Sequence, residues 1–304
     1  MRRKNDLGRD PIGQLVLKIA LPSMLAQFVS VLYSIVDRMY IGHIPQVGDL
    51  ALAGVGVCGP VVTMIGSAAS LIGVGGAPLM SMRMGEGETE QARRILANCF
   101  LMLCVLSVAL MALLAPIREP MLMLFGASEA TFPFAGAYFS AYLCGTPFAL
   151  LATGMCQFII CQGFAGQAML SVVLGAVMNI ALDPVFIYVL DMGVTGAAVA
   201  TVISQVASCA FVLAFLLGKK PPMRITFSGY DLRVMRKVLL IGFTPFAIIA
   251  VDNVMIIAMN AVLKRYGGAA QGDMLLTCAT IAQSFMLVVT MPLGGISGST
   301  QTIL

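Results

Sequence analysis

The stretch AMLSVVLGAVMNIALDPVFIYVL, from Ala168 to Leu190, decides the fold, because it is apolar over the length of a membrane-spanning helix. Such a helix needs about 20 predominantly apolar residues to cross a hydrocarbon core of roughly 30 Å. Two strongly polar side chains interrupt the run, Asn179 and Asp183, and Pro184 follows the acid directly. The stretch therefore predicts a transmembrane helix that carries a carboxylate inside the membrane.

The whole chain has the composition of a membrane protein. Of its 304 residues, 59% are hydrophobic and only 11% are charged, which is too little polar surface for a protein in water. Apolar segments of similar length recur along the sequence. We therefore predict an all-α polytopic membrane protein with eight helices, at approximately 14–41, 51–81, 94–115, 132–156, 168–190, 194–217, 236–263 and 274–304.

Basic residues are distributed unequally between the two sets of loops. If the N-terminus is cytoplasmic, 14 lysines and arginines lie on the inner side, and only Arg118, Lys264 and Arg265 lie on the outer side. This asymmetry is the signature of the positive-inside rule. It predicts a multi-pass protein of the plasma (inner) membrane with a cytoplasmic N-terminus. The net charge of +4 then comes from cytoplasmic loops and indicates no nucleic-acid partner.

Cysteine, histidine and glycine patterns favour packing over metal or nucleotide binding. The eight cysteines lie in or beside apolar spans without a CxxC pair, and His43 has no second ligand type near it. GVGVCG, 54–59, matches a dinucleotide-binding pattern, but no strand precedes it, so close helix packing is its predicted role. The chain contains no HExxH or GxSxG motif, and we expect no enzymatic activity.

The chain repeats the beginning of its own pattern. DPIGQLVLKIALP, 10–22, is similar to DLRVMRKVLLIGFTP, 231–245, since each is a lysine-bearing segment that ends at a proline early in a long helix. Asp37 and Asn260 each follow that proline by 15 residues. Six helices lie between the two segments, an even number, as expected for parallel repeats about an axis along the membrane normal.

This repeat predicts two lobes, of which the second is incomplete. Residues 1–217 form an N-lobe of six helices, 218–235 a cytoplasmic linker, and 236–304 the first two helices of a truncated C-lobe. A complete second copy would need four more helices. We therefore expect the chain to be a fragment of a protein of about twelve helices.

Polar side chains within the predicted spans indicate a cation site. A charge inside the membrane costs at least about 2.5 kcal/mol on insertion scales, so it is rarely without function. Asn179 and Asp183 are four residues apart and share a helix face, and Pro184 frees a backbone carbonyl beside them. Thr201 lies level with Asp183 across the short turn between helices five and six, and Asp37 can lie in the same outer half of the membrane. These oxygens suit a proton or a small hard cation.

Two of these residues have simpler alternative roles. Asp37 is followed by Arg38, so it could form a salt bridge or an interfacial cap instead. Thr201 could bond only to its own helix, as threonines in helices often do.

Several long motifs resemble the multidrug and toxic compound extrusion (MATE) transporters, specifically their bacterial drug/cation antiporter branch. They are LYSIVDRMYIG (32–42), RMGEGETEQARRIL (83–96), LFGASEA (124–130), GAVMNIALDPVFIY (175–188) and GVTGAAVATVISQ (193–205). The resemblance extends over nearly the whole chain.

The resemblance implies two six-helix lobes that rock around a central cavity and export drugs in exchange for H⁺ or Na⁺. It implies that Asp37, Asn179, Asp183 and Thr201 bind the coupling ion. We expect no cofactor and no metal beyond Na⁺, small-molecule drugs and the lipid bilayer as partners, and a monomer when the chain is full length. The cavity is expected to include Tyr33, Ser34, Gln157 and Asn260.

The chain also departs from the family pattern at helix four. The family commonly has NQFIRAEGNPK where this chain has CQFIICQGFAG, so Cys156, Ile160 and Gly166 replace an asparagine, an arginine and a lysine. Ser34 likewise replaces an asparagine of the first helix. These changes reduce the expected contribution of helix four to the cation site and leave the Asp183 group intact.

Two other functions stay open at this stage. One is a lipid-linked saccharide flippase of the same superfamily, although the acidic character of the deep charges favours drug/cation exchange. The other is a fragment without transport activity.

Overall fold

The regular structure is entirely helical in the part of the chain that the structure describes, which confirms the predicted all-α class. This computed structural model describes the backbone of residues 12–301, with the side chains of residues 20–256 and of a few positions beyond. The helices are α1 (Ile12–Gly42), α2 (Gly48–Gly85), α3 (Thr89–Leu124), α4 (Phe132–Cys161), α5 (Ala165–Pro184), a π-helical turn (Val185–Val189), α6 (Gly193–Leu217) and α7 (Leu232–Gln301).

Each of these seven α-helices contains a segment that is long and apolar enough to cross a membrane, within the residues described. In a bilayer every backbone N–H and C=O must find a partner inside the protein, and a helix meets that demand by itself. The chain is therefore a multi-pass membrane protein.

The last part of the chain differs from the prediction. The sequence predicts two helices, 236–263 and 274–304, whereas the structure has the single helix α7 of 70 residues. No proline lies between Pro245 and Pro292, so no residue in this interval lacks the N–H that an unbroken helix needs. The first segment of α7, Leu232–Ile256, supplies the seventh candidate span.

The predicted linker at 218–235 corresponds to a non-helical segment in the structure. This segment occupies residues 218–231, because α6 ends at Leu217 and α7 begins at Leu232. The division of the chain into two lobes stays a prediction.

Helix α2 lies at the centre of the packing, in contact with α3, α4 and α7. Its approach to α4 depends on glycine, since a methyl group added at Gly73 would lie 2.9 Å from the carbonyl oxygen of Gly154. In the GVGVCG segment, Gly54 fills the predicted packing role, because an added methyl would lie 2.9 Å from the carbonyl oxygen of Thr131. Gly56 and Gly59 face open space instead, so the packing role holds for one glycine of the three.

Helices α2 and α7 also approach each other through glycines. A methyl group at Gly75 would meet the carbonyl oxygen of Val238 and would lie 2.8 Å from the backbone nitrogen of Gly242. A methyl group at Gly242 would in turn meet the carbonyl oxygen of Leu71. Backbone atoms cannot yield as flexible side chains do, so any larger residue must push the two helices apart.

We predict that Gly75→Ala lowers the thermal unfolding midpoint of the detergent-purified protein, because the added methyl overpacks the α2–α7 contact. The expected loss of unfolding free energy is about 1–3 kcal/mol. Gly66→Ala is the matched control on the same helix, since a methyl there meets nothing within 4 Å. The alanine should leave stability unchanged or raise it slightly, because glycine is the poorer helix former. Equal effects of the two substitutions would contradict this account of the contact.

Candidate cation-binding site

The centre of the candidate site is one face of α5. Asp183 is fully buried and Asn179 is 2% exposed. The Asn179 amide nitrogen Nδ2 donates a hydrogen bond of 3.1 Å to Asp183 Oδ1. The spacing of four residues thus brings the two side chains together on one helix face, as the sequence predicts.

Helix α6 adds a hydroxyl to this pair. The same Asn179 nitrogen lies 3.3 Å from the hydroxyl oxygen of Thr201, which is also buried. The short connection between α5 and α6 places these residues level with each other. Thr201 is therefore joined to the α5 pair through Asn179, and the described structure gives it no separate bond to its own helix.

Helix α1 brings the second acid. Asp37 is 8% exposed, and its helix packs against α5. The carboxyl groups of Asp37 and Asp183 are close enough for their electrostatic fields to act on each other. Arg38 is exposed, and among the described residues Asp37 makes no ion pair within 4.0 Å. The geometry thus favours the shared acidic site over the alternative salt bridge.

Three buried oxygen atoms at this site have no hydrogen-bond partner in the described part of the protein: Asp37 Oδ1, Asn179 Oδ1 and Asp183 Oδ2. Burying a polar atom without a partner costs free energy, and burying a charge costs more. Oxygen atoms of this kind are also the ligands that hard cations prefer. A proton or a Na⁺ ion would therefore supply the partner that these atoms lack.

The helix geometry changes at Pro184, where the sequence predicts a break. Helix α5 ends at this proline and continues as the π-helical turn Val185–Val189. The Leu190 N–H bonds to the Val185 carbonyl at 2.9 Å, one residue further back than in an α-helix. Such turns occur frequently at functional sites, and this one directly follows the buried acid.

The predicted cavity residues have different positions relative to the site. Tyr33 lies one turn before Asp37, and its hydroxyl is within electrostatic range of both acids. The Ser34 hydroxyl instead donates to the Ser30 carbonyl of its own helix, at 3.1 Å.

Of the other two cavity residues, the structure places Gln157, which makes no hydrogen bond to the acids among the described residues. Gln157 is partly buried on α4, and its Cγ packs against Gly73 of α2. The side chain of Asn260 lies outside the described residues.

Three further polar residues form a group on α4 and α6 that the sequence did not indicate as part of the site. The rings of Tyr138 and Tyr142 on α4 stack with their centroids 6.4 Å apart, and both are buried. Tyr138 lies within electrostatic range of Asp37, and Gln205 on α6 lies beside Tyr142. The spacing of four residues between the tyrosines was the only available signal, and it is equally common in ordinary helix packing.

Cys156, at the departure from the family pattern, occupies a packing position. It is buried, and its sulfur lies 3.5 Å from the Ser171 hydroxyl and 3.7 Å from the Ala168 carbonyl. These contacts join α4 to the beginning of α5, two turns before Asn179. In the described structure Cys156 therefore supports α5 without contacting the acidic group.

Comparisons with known proteins agree with this architecture. The MatE family model matches residues 22–185. The FAD transporter of Shewanella oneidensis is 28% identical over 308 residues, covering 96% of this chain and 65% of that protein. The multidrug export protein MepA of Staphylococcus aureus is 22% identical over 264 residues, covering 86% of this chain and 58% of that protein. The chain thus spans about 58% to 65% of the length of these two curated relatives.

Solved transporter structures have the same fold. A crystal structure of MATE in complex with MaD3S matches with a TM-score of 0.88 and 24% identity, over 100% of this chain and 67% of that one. An outward-facing multidrug resistance MATE family transporter of the MOP superfamily matches with a TM-score of 0.86 and 23% identity, over 100% of this chain and 66% of that one. At these identities the likeness concerns the fold.

We predict that Asn179→Ala destabilises the protein by about 1–3 kcal/mol, because it removes the amide donor from a buried carboxylate. Asn253→Ala is the matched control: Asn253 is also buried, but its amide donates to the Ile249 carbonyl of its own helix, at 2.7 Å. That change should cost less than about 1 kcal/mol, since an i−4 bond of this kind contributes little to a helix. Thermal unfolding in detergent measures both, and equal losses would argue against the special role of Asn179.

Proposed function

The chain belongs to the MatE family of membrane transporters, and we propose that its buried acidic pair couples export of amphipathic or cationic small molecules to entry of H⁺ or Na⁺. The observation that carries this proposal is the cluster of unpaired oxygens from Asp37, Asn179 and Asp183 inside a membrane-spanning bundle. A site of this composition attracts a cation and repels an anion.

The coupling follows from the cost of leaving these acids charged and unpaired. Without a cation, Asp37 and Asp183 repel each other in a medium that screens charge poorly. This repulsion is removed when the two carboxyl groups share a proton. It is also removed when a Na⁺ ion is held by the carboxylates, the Asn179 oxygen and the Thr201 hydroxyl. Either event draws α1 toward α5. Binding then stabilises the conformation in which these helices are close, and coupling arises from the differential affinity of two conformations for the cation.

A cationic substrate fits this scheme because it would compete with the coupling ion for the same negative charge. Binding of one would favour release of the other, which is what antiport requires. MepA is named as a multidrug export protein, which supports small-molecule drugs as the substrate class. We therefore infer drug efflux rather than enzymatic catalysis, with no cofactor beyond the coupling ion.

A second candidate substrate is FAD. Among the two curated relatives described above, the FAD transporter has the higher identity, 28%. FAD carries two phosphate groups, however, and the acidic pair does not attract them, so FAD would need a cationic contact elsewhere. A flippase for lipid-linked saccharides and a chain without transport activity are further alternatives.

The proposal also includes the membrane location of the protein and its oligomeric state. We infer that the chain resides in the plasma (inner) membrane with its N-terminus in the cytoplasm, because most of its basic residues then lie inside. We also infer that the transporter acts as a monomer, since each chain carries its own acidic pair.

We predict that Asp183→Asn abolishes gradient-driven efflux of ethidium from cells that lack their major efflux pumps, because the amide cannot exchange a proton and binds Na⁺ weakly. Asp191→Asn is the matched control, since Asp191 is an exposed acid eight residues further along. Its backbone has a φ of 51°, a conformation that asparagine also tolerates. Efflux should be measured at equal amounts of protein in the membrane.

The same assay distinguishes H⁺ from Na⁺ as the driving ion, and drugs from FAD as the substrate. Collapse of the proton gradient alone should stop efflux if H⁺ is the coupling ion, and collapse of the sodium gradient alone if it is Na⁺. Accumulation of FAD in the medium, with unchanged ethidium efflux, would favour the second substrate. Efflux that is as fast in Asp183→Asn as in the wild type would refute the coupling role of Asp183.

A further inference from the structure

The segment that joins α6 to α7 lies at a membrane surface. Both helices contain candidate membrane spans, and residues 218–231 connect the end of one to the start of the other. A connecting segment in this position would usually be a mobile loop. This segment is instead fixed to the bundle by buried side chains.

Asn98 of α3 holds the end of the segment. Its amide is fully buried, its nitrogen Nδ2 donates to the Gly229 carbonyl at 3.2 Å, and its oxygen accepts from the Asp231 N–H at 2.9 Å. Gly229 has a φ of +80°, and a side chain there would press against Arg94. One buried amide thus fixes the backbone immediately before α7.

Gln162, just after α4, holds the beginning of the segment. Its side-chain oxygen accepts from the Met223 N–H at 3.0 Å, while its nitrogen bonds to the Phe158 carbonyl at 3.0 Å. Met223 and Ile225 are buried in the core, and the Phe227 ring packs edge-on against Phe100 at 5.8 Å. The segment therefore has a defined path across the ends of α3 and α4.

The charged side chains that this segment exposes are mostly basic. Between residues 218 and 237 the chain has six basic residues and one acid, Asp231. The Asp231 carboxylate is already engaged, because it accepts from the Arg233 N–H at 2.8 Å at the start of α7. None of the six forms an ion pair within 4.0 Å in the part of the chain described: Lys219, Lys220, Arg224, Arg233, Arg236 and Lys237.

Arg83, a cation at the α2–α3 turn, differs from these six because it is paired within the protein. Arg83 forms ion pairs with Glu86 at 2.6 Å and with Glu88 at 2.9 Å. The protein thus neutralises that arginine internally, whereas the cations of the α6–α7 segment have no carboxylate partner among the described residues. Their charge is available to a partner outside the chain.

Exposed apolar side chains lie among these cations. Phe227 is 65% exposed although its ring is held by Phe100, and Tyr230 and Leu232 are exposed as well. Aromatic residues beside basic ones are typical of the boundary between headgroups and acyl chains, where the ring enters the apolar layer and the charge meets phosphate.

We propose that this surface, which consists of Lys219, Lys220, Arg224, Phe227 and Arg233, binds the headgroups of anionic phospholipids. Its charge is complementary to the lipid phosphates, its aromatic residue suits the headgroup boundary, and its position between two spans holds it at bilayer depth. Because Asn98 and Gln162 fix the backbone, little conformational entropy is lost on binding. In the orientation proposed above, these lipids are those of the cytoplasmic leaflet.

The test compares phosphatidylglycerol with phosphatidylcholine in mixed micelles that contain the purified chain. Phosphatidylglycerol should raise the thermal unfolding midpoint more than phosphatidylcholine does. The triple variant Lys219→Gln, Lys220→Gln, Arg224→Gln should raise the half-saturating phosphatidylglycerol concentration by at least about tenfold, because each surface cation contributes to anionic-lipid binding. Added salt should weaken the wild-type preference, since it screens exposed charges.

Arg83→Gln is the matched control, because it removes a cation that is paired within the protein. Its half-saturating phosphatidylglycerol concentration should equal that of the wild type. A second readout, native mass spectrometry of the phosphatidylglycerol retained by folded monomers, keeps the test valid if the triple variant unfolds early. An unchanged titration of the triple variant would overturn the proposal, and so would an equal stabilisation by inorganic phosphate, which would indicate a site for soluble anions.

Discussion

The rest of the structure depends on the absence of water around buried polar groups. In a bilayer, backbone hydrogen bonds must be satisfied within each helix, and this requirement accounts for the seven long helices of the described chain. The same requirement makes three buried oxygens exceptional, since they have no partner in the described part of the protein: Asp37 Oδ1, Asn179 Oδ1 and Asp183 Oδ2. A protein would not retain such atoms for stability, because apolar side chains of similar size would pack there at lower cost. Their presence supports the proposal that a cation binds there reversibly.

Close helix packing is the second consequence of the lipid environment. Since lipid chains are as apolar as leucine, helices gain little by hiding apolar side chains from lipid and associate through tight backbone contacts instead. Gly73 and Gly75 on α2 allow such contacts on two sides, toward α4 and α7. Helix α2 thus connects the part of the bundle around α4 to the beginning of α7, and its glycines set how closely α7 can approach.

The sequence was informative where a local spacing determines a contact. The separation of four residues between Asn179 and Asp183, and the short turn before α6, are sufficient to predict the cluster that includes Thr201. The sequence could not predict that Tyr138 and Tyr142 form a polar group beside the site, because tyrosines four residues apart occur on any packed helix. It also could not predict that Asn98 and Gln162 fix the α6–α7 segment, since these contacts join residues 61 to 133 positions apart. The sequence does not predict the single helix α7, because Lys264 and Arg265 interrupt the apolar pattern and indicate an outer loop.

The contacts of α1 connect the acidic pair to the rest of the molecule. This helix carries Asp37 on the side of α5, and it also packs against α7. In the proposed coupling a cation would draw Asp37 toward Asp183, and α1 would then move relative to α5 and to α7. The amide of Asn98 bonds the backbone at Asp231, immediately before Leu232, and so attaches the start of α7 to α3. Helix α7 is therefore fixed to α3 at its beginning and contacts α1 further along, so the proposed movement of α1 would act on α7 against a fixed end.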